Sequence, residues 1–168
     1  APTFMRAAEA NVLVHKKLGL MLRKVDGTFT GGRGDEGAWA PNVTNDEALE
    51  AAAKVCEESS NEFGFKIKPA LDVAASSLWN EKEKRYVYVR DNLKRDPGEQ
   101  LEYISNLVKK FGLAYVEAPL HEDDFGGFRE LTKKVRNCLI CGDDLFVTNV
   151  EKLTRGIKES AGNAIIIK

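Results

Sequence analysis

Cysteine, proline and histidine are all scarce in this chain: 3, 5 and 2 of its 168 residues. An odd number of cysteines without a secretory pattern argues against a disulfide framework and for reduced thiols. Cys138-Leu-Ile-Cys141 has the spacing of a zinc or redox pair. It lies in an apolar run, however, and no second ligand pair accompanies it, so two buried core thiols are expected. No apolar run approaches the roughly 18 residues of a membrane span, and Ala1-Pro2-Thr3-Phe4 lacks a charged-then-apolar targeting pattern. No membrane span is therefore expected, and the expected setting is cytoplasmic. Excess charge of either sign is missing too. With 25 basic residues against 26 acidic ones, composition names no partner, and no nucleic acid is expected. What remains, 43% hydrophobic and 30% charged, is ordinary for a globular protein with a sizeable core.

Helical spacing appears first in Phe4, Ala7, Ala8, Val14 and Leu18, after Thr3 as cap, and predicts a helix ending before Gly19. A second helix opens on the capping box Thr44-Asn-Asp-Glu47, with Leu49, Ala52, Ala53 and Cys56 as its inward face. Between them the glycine-rich run 27–42 reads as a long loop, functional or simply a turn. Beyond Phe65 short apolar runs resemble buried strands: Ile67 to Leu71, Leu113 to Val116, Cys138 to Cys141 and Ala164 to Ile167. Amphipathic helices separate the later ones. One is capped by Asp96 with Pro97 first and presents Leu101, Ile104, Val108 and Phe111; others present Phe125, Phe128, Leu131 and Val135, then Val150, Leu153 and Ile157. This βαβαβ alternation predicts parallel strands joined by helical crossovers. Arg85 to Arg90 alternates with period two and is expected as a strand outside the parallel set.

Each apolar run is followed at its end by a residue foreign to a core: Asp72, Glu117, Asp143 and Lys168. From Glu117 to Asp143 is 26 residues and from Asp143 to Lys168 is 25, about one strand plus one helix. Successive polar groups should therefore recur at the same end of neighbouring strands. In a (β/α)8 barrel that end is the mouth where catalytic groups from several strands meet. Acidic residues at such junctions also serve simply as helix caps. Gathered at one mouth, three carboxylates would repel unless protonated or neutralised. A hard, oxygen-seeking cation, magnesium first, suits a set without histidine or cysteine.

Five stretches carry a family resemblance: Gly34-Asp-Glu-Gly-Ala-Trp-Ala-Pro-Asn42, Leu71-Asp-Val-Ala-Ala-Ser76, Val116-Glu-Ala-Pro119, Gly142-Asp-Asp-Leu-Phe-Val-Thr-Asn149 and Asn163-Ala-Ile-Ile-Ile-Lys168. Each resembles an enolase motif, and they occur in that family's order. The fold this implies is α/β, part of an enolase-type (β/α)8 TIM barrel, incomplete in this chain. The activity implied is reversible dehydration of 2-phospho-D-glycerate to phosphoenolpyruvate, a lyase reaction of glycolysis. By the same resemblance Asp72, Glu117 and Asp143 bind Mg2+, Glu36 is the acid and Lys168 the base. A lysine base working beside magnesium is the arrangement that the resemblance to enolases implies. Asp144, beside a metal ligand, is expected to cap or support it.

The chain departs from the family's usual Gly-Gly-Phe at Gly37-Ala38-Trp39, from Met at Leu71, and from Asp at Ala118. The last removes a charge beside Glu117. His15, between a helix face and two lysines, is expected at the surface; His121 is expected to line a loop without touching substrate; and Trp39 is expected to pack on its own loop. A closed barrel takes about 250 residues, so residues 1–168 are expected to form a partial barrel domain, without the N-terminal domain and last strands, inactive alone. Such an open barrel would leave unpaired strand edges. The resemblance implies a small-molecule substrate and a homo-oligomeric parent enzyme. A non-catalytic half-barrel, or another lyase or epimerase of the same superfamily, are the competing readings.

Overall fold

A computed structural model describes residues 1–168, which divide into two compact units, Ala1–Pro69 and Ala70–Lys168. The first is a pair of helices and the loop between them. Helix α1 spans Phe4–Val25, its first turn capped by the Thr3 hydroxyl, which accepts the Arg6 amide at 3.2 Å. It does not stop before Gly19. Glycine there makes room instead of ending the helix, because a Cβ would lie 2.7 to 3.0 Å from the Trp39 indole. Ala10, Gly19 and Leu22 are its buried residues, while Phe4 is 84% exposed. Helix α2 spans Asn45–Phe63 and begins with the expected box: Thr44 and Glu47 each satisfy the other's backbone amide. Leu49, Ala51, Val55, Cys56 and Ser59 are buried, so the inward stripe is rotated from the Ala52 and Ala53 positions. Leu22, Phe29, Val43 and Ala51 form this unit's core, with Leu18, Met21 and Trp39 against them. The carboxylate of Asp26 closes the loop by accepting the amides of Thr28 and Asn42 at 2.9 and 2.8 Å.

The second unit holds two small sheets. Strands β1 (Ala70–Asp72), β5 (Tyr115–Glu117) and β6 (Leu139–Cys141) form the parallel one in the order β1-β5-β6. Strands β2 (Trp79–Asn80), β3 (Arg85–Tyr88) and β4 (Leu93–Arg95) form an antiparallel one. The strand expected at Arg85 to Arg90 is β3, and its two hairpin partners were not anticipated. Asn92 in left-handed backbone (φ 50°) turns β3 into β4, and the Asn80 side chain caps the amides of Lys82 and Glu83 in the other turn. Helices α3 (Pro97–Phe111) and α4 (Phe125–Lys134) follow the predicted spacing, with Leu101, Ile104, Val108, Phe125, Phe128 and Leu131 buried. Short α5 (Asp143–Phe146) and then α6 (Val150–Glu159) complete the unit. The apolar positions of α6 do not form one inward face: Val150 is 77% and Ile157 71% exposed, Leu153 is half-buried, and Gly156 is its buried residue.

In the parallel sheet Leu71, Val116 and Ile140 share one register row, with Val116 and Ile140 wholly buried. Side chains alternate across a strand, so Asp72, Glu117 and Cys141, one residue further, lie in the next row on the opposite face. The fourth apolar run contributes a single parallel bridge, Cys141 to Ala164. The sheet is open, as an incomplete barrel requires. All three cysteines are buried and none is in a disulfide, and burial pushes the Cys56 and Cys141 thiols above their ordinary range.

Candidate metal centre

Asp72 and Glu117 are direct partners in register at the C-terminal ends of β1 and β5, and Asp143 stands two residues past Cys141, the partner of Glu117 on β6. Three carboxylates thus occupy the same end of three adjacent strands. Each is turned to a local donor. Asp72 Oδ1 accepts the Ala74 amide at 2.9 Å, Glu117 Oε2 accepts the Tyr115 hydroxyl at 2.7 Å, and Asp143 Oδ2 accepts Lys168 Nζ at 2.7 Å. No three acidic, imidazole or thiol side chains approach closely enough to share one ion. Like charges disfavour closer approach, and each oxygen meets its nearest donor instead. The donor set still suits a hard divalent cation: all oxygens, all from one edge, one of them already holding a positive charge.

Lys168 is exposed at its ammonium, and the hydrogen bond to Asp143 raises its pKa above the ordinary lysine value, with the charges of Asp143, Asp144 and Glu117 acting in the same direction. In this state it is a proton holder. Its backbone amide lies 3.4 Å from the Thr148 hydroxyl.

The backbone around these groups is strained. Ala74, Ala118, Val147 and Thr148 all have positive φ, between 39° and 54°. Such conformations are costly for residues with a Cβ, most of all for β-branched Val and Thr. All four lie within a few residues after Asp72, Glu117 or Asp143, while Lys84, Asn92 and Ser160 adopt the same conformation elsewhere. Ala118 is held there by its amide donating to the Cys141 carbonyl and its carbonyl accepting from Ala75, both at 3.0 Å.

The loop after β5 is fixed by the antiparallel sheet. Tyr86 accepts the His121 amide at 2.8 Å, and Tyr88 donates to buried Gln100, whose amide group donates to the Pro119 carbonyl at 3.1 Å. The His121 ring packs on Trp79, 5.1 Å between centroids. Tyr115 was missed by sequence reasoning. Burial and its bond to Glu117 raise its phenol pKa, so it stays a donor to that carboxylate. The available signal was its place two residues before Glu117, hence on the same face of the strand.

Glu36 belongs to the first unit, exposed at the tip of the loop, where its amide donates to Asp35 Oδ1 at 3.1 Å. The loop folds as a miniature hairpin: Gly34 donates to Ala38, Ala40 to Gly32, and Arg33 bridges Trp39. His15 is half-buried against it and does more than the surface role expected.

Comparison with known proteins adds an independent line. The family model described as "Enolase, C-terminal TIM barrel domain" matches residues 1–168. The chain is 52% identical to the enolase of Methanosphaera stadtmanae and 47% identical to that of Methanothermobacter thermautotrophicus, in each case over its whole length and 41% of the relative's. It is 44% identical to the enolase of Pyrobaculum aerophilum, over 99% of this chain and 39% of that protein. The chain therefore spans about two-fifths of the length of these relatives. A match along all 168 residues establishes that the chain belongs to the enolase C-terminal TIM barrel domain family.

Proposed function

We propose that the protein built on this chain is an enolase that reversibly dehydrates 2-phospho-D-glycerate to phosphoenolpyruvate with Mg2+, residues 1–168 being part of its barrel domain. The observation that carries this reading is the alignment of Asp72 with Glu117 at adjacent strand ends, with Asp143 beside them and in contact with Lys168. Asp72, Glu117 and Asp143 would hold the cation. Bound there, it supplies positive charge against the second negative charge that develops on the substrate carboxylate when carbon 2 loses its proton.

Lys168 takes that proton. To do so it must first give up its own, which requires that Asp143 no longer hold the ammonium as it does here. Glu36, protonated, gives a proton to the hydroxyl leaving carbon 3. Tyr115 keeps one Glu117 oxygen oriented by its hydrogen bond. The assignments extend to a cytoplasmic, homo-oligomeric parent enzyme acting on a small molecule; no helix is long and apolar enough to cross a membrane.

The test is an ultraviolet assay of phosphoenolpyruvate formation by the full-length protein. Turnover is expected with Mg2+ and lost when the ion is chelated, and Lys168→Ala or Glu36→Gln should each lower kcat by about 10²- to 10⁴-fold. The 168-residue chain alone is expected to show none. A full-length protein that binds Mg2+ and never forms phosphoenolpyruvate would refute the reading.

A further inference from the structure

The loop that carries Glu36 is gripped from one side by helix α1, at three points. The His15 Nε2 lies 3.1 Å from the Gly37 carbonyl. A carbonyl can only accept, so Nε2 is the nitrogen bearing hydrogen. In return the Trp39 indole N–H donates to the His15 carbonyl at 2.8 Å, and the two rings stack with centroids 4.6 Å apart, 21° from parallel. One helical turn on, Gly19 leaves the space the indole fills, since any Cβ there would come within 3.0 Å of it. The Phe29 ring meets the Trp39 edge at 6.1 Å, and the Arg33 guanidinium lies over the indole at 4.2 Å.

These contacts bracket Glu36. Gly37 is its immediate neighbour, and Trp39 closes the hairpin through the bridge to Arg33. The tip itself is pinned by few bonds of its own: Gly37 N–H to the Gly34 carbonyl at 3.0 Å, and Gly34 N–H to the Ala38 carbonyl at 2.9 Å. A loop of glycines has many conformations available, so a restraint on its carbonyl and its aromatic anchor decides which one is occupied. We infer that His15, through the paired hydrogen bonds and ring stack with Gly37 and Trp39, is a positioning residue that sets the direction of Glu36. This rests on the reading of Glu36 as the acid, and extends it to a residue that touches no substrate.

If so, loosening the clasp slows the step that uses Glu36 and spares the step that uses Lys168. The two are separable: removal of the carbon 2 proton is read as exchange of a deuterium label at carbon 2 of 2-phosphoglycerate into water, and expulsion of hydroxide is read as phosphoenolpyruvate formation. In the full-length protein, His15→Leu is expected to cut phosphoenolpyruvate formation by about 10- to 100-fold, the scale of a misplaced catalytic group, with label exchange within about twofold of wild type. His15→Gln places an N–H close to where Nε2 stands and should recover most of the loss. Amide hydrogen exchange at Gly34, Gly37 and Ala40 gives a readout independent of activity, expected to quicken at least tenfold in His15→Leu and in Trp39→Phe, and to stay slow in His15→Gln. Equal losses in both chemical steps, or unchanged amide protection in His15→Leu, overturn the inference. A wild-type protein without turnover defeats the enolase reading instead, and quickened amide exchange in His15→Leu would then still support the clasp.

Discussion

Tyr86 is wholly enclosed, its hydroxyl accepting the His121 amide and so tying β3 to the loop beyond β5. Burial pushes its pKa up from 10.0 to about 12. A raised folded-state value contributes stability that is complete below the unfolded pKa and lost as pH rises through the folded one. The unfolded phenol ionises first, near 10, so unfolding is favoured progressively until Tyr86 ionises in place. Between pH 10 and 12 this site alone should remove roughly 2 to 3 kcal/mol. Tyr88 and Lys168, also raised, act with the same sign. The urea midpoint is expected to fall steeply over that window, and less steeply in Tyr86→Phe; a flat profile would show the phenol to be hydrated. At this scale the sequence revealed residue types well and their partners poorly. The placement of Asp72, Glu117 and Asp143 at one end of neighbouring strands was legible because charges rarely follow apolar runs. Tyr115 did not, because a tyrosine in a strand is unremarkable until the carboxylate it touches is known. His15 stayed hidden for a related reason: nothing in local sequence brings Trp39, 24 residues on, against it.

Among elements, the helices with strong chemical starts were legible. Thr44 with Glu47 and Asp96 with Glu99 form complete capping boxes. Thr44→Ala should cost about 1 kcal/mol of stability, visible in thermal unfolding, and Thr44→Ser should cost little. Gly19 misled because glycine also ends helices, and only the Trp39 contact tells a stop from a gap. Gly19→Ala is expected to destabilise by about 1 to 3 kcal/mol through overpacking, although alanine is the better helix former; a stabilised variant would mean that the indole is free to move. The fourth apolar run, Ala164 to Ile167, has a strand's composition, but its only ladder contact is the Ala164 bridge. Pairing, unlike composition, depends on what lies alongside.

For the molecule as a whole, the parallel order β1-β5-β6 follows from the βαβ rhythm, and the row Leu71, Val116, Ile140 is the spine on which the carboxylates of β1 and β5 are aligned. Ile140→Ala should cost about 2 to 5 kcal/mol and, by loosening β6, should also weaken cation affinity; chemical denaturation and calorimetric titration of the full-length protein would separate the two effects. The antiparallel sheet was legible only in β3, because β2 and β4 are two and three residues long, too short to show a period. The common end of the strands was readable from spacing, whereas the orientation of each carboxylate was not, since that depends on the nearest donor: Ala74, Tyr115 or Lys168. Crystals of the full-length protein grown with Mn2+ in place of Mg2+ would test the shared cation site directly by anomalous scattering. The expected result is one peak about 2.0 to 2.2 Å from an oxygen of each of Asp72, Glu117 and Asp143, with Lys168 Nζ withdrawn from Asp143. A well-ordered crystal with these three side chains resolved and no peak among them would contradict the account.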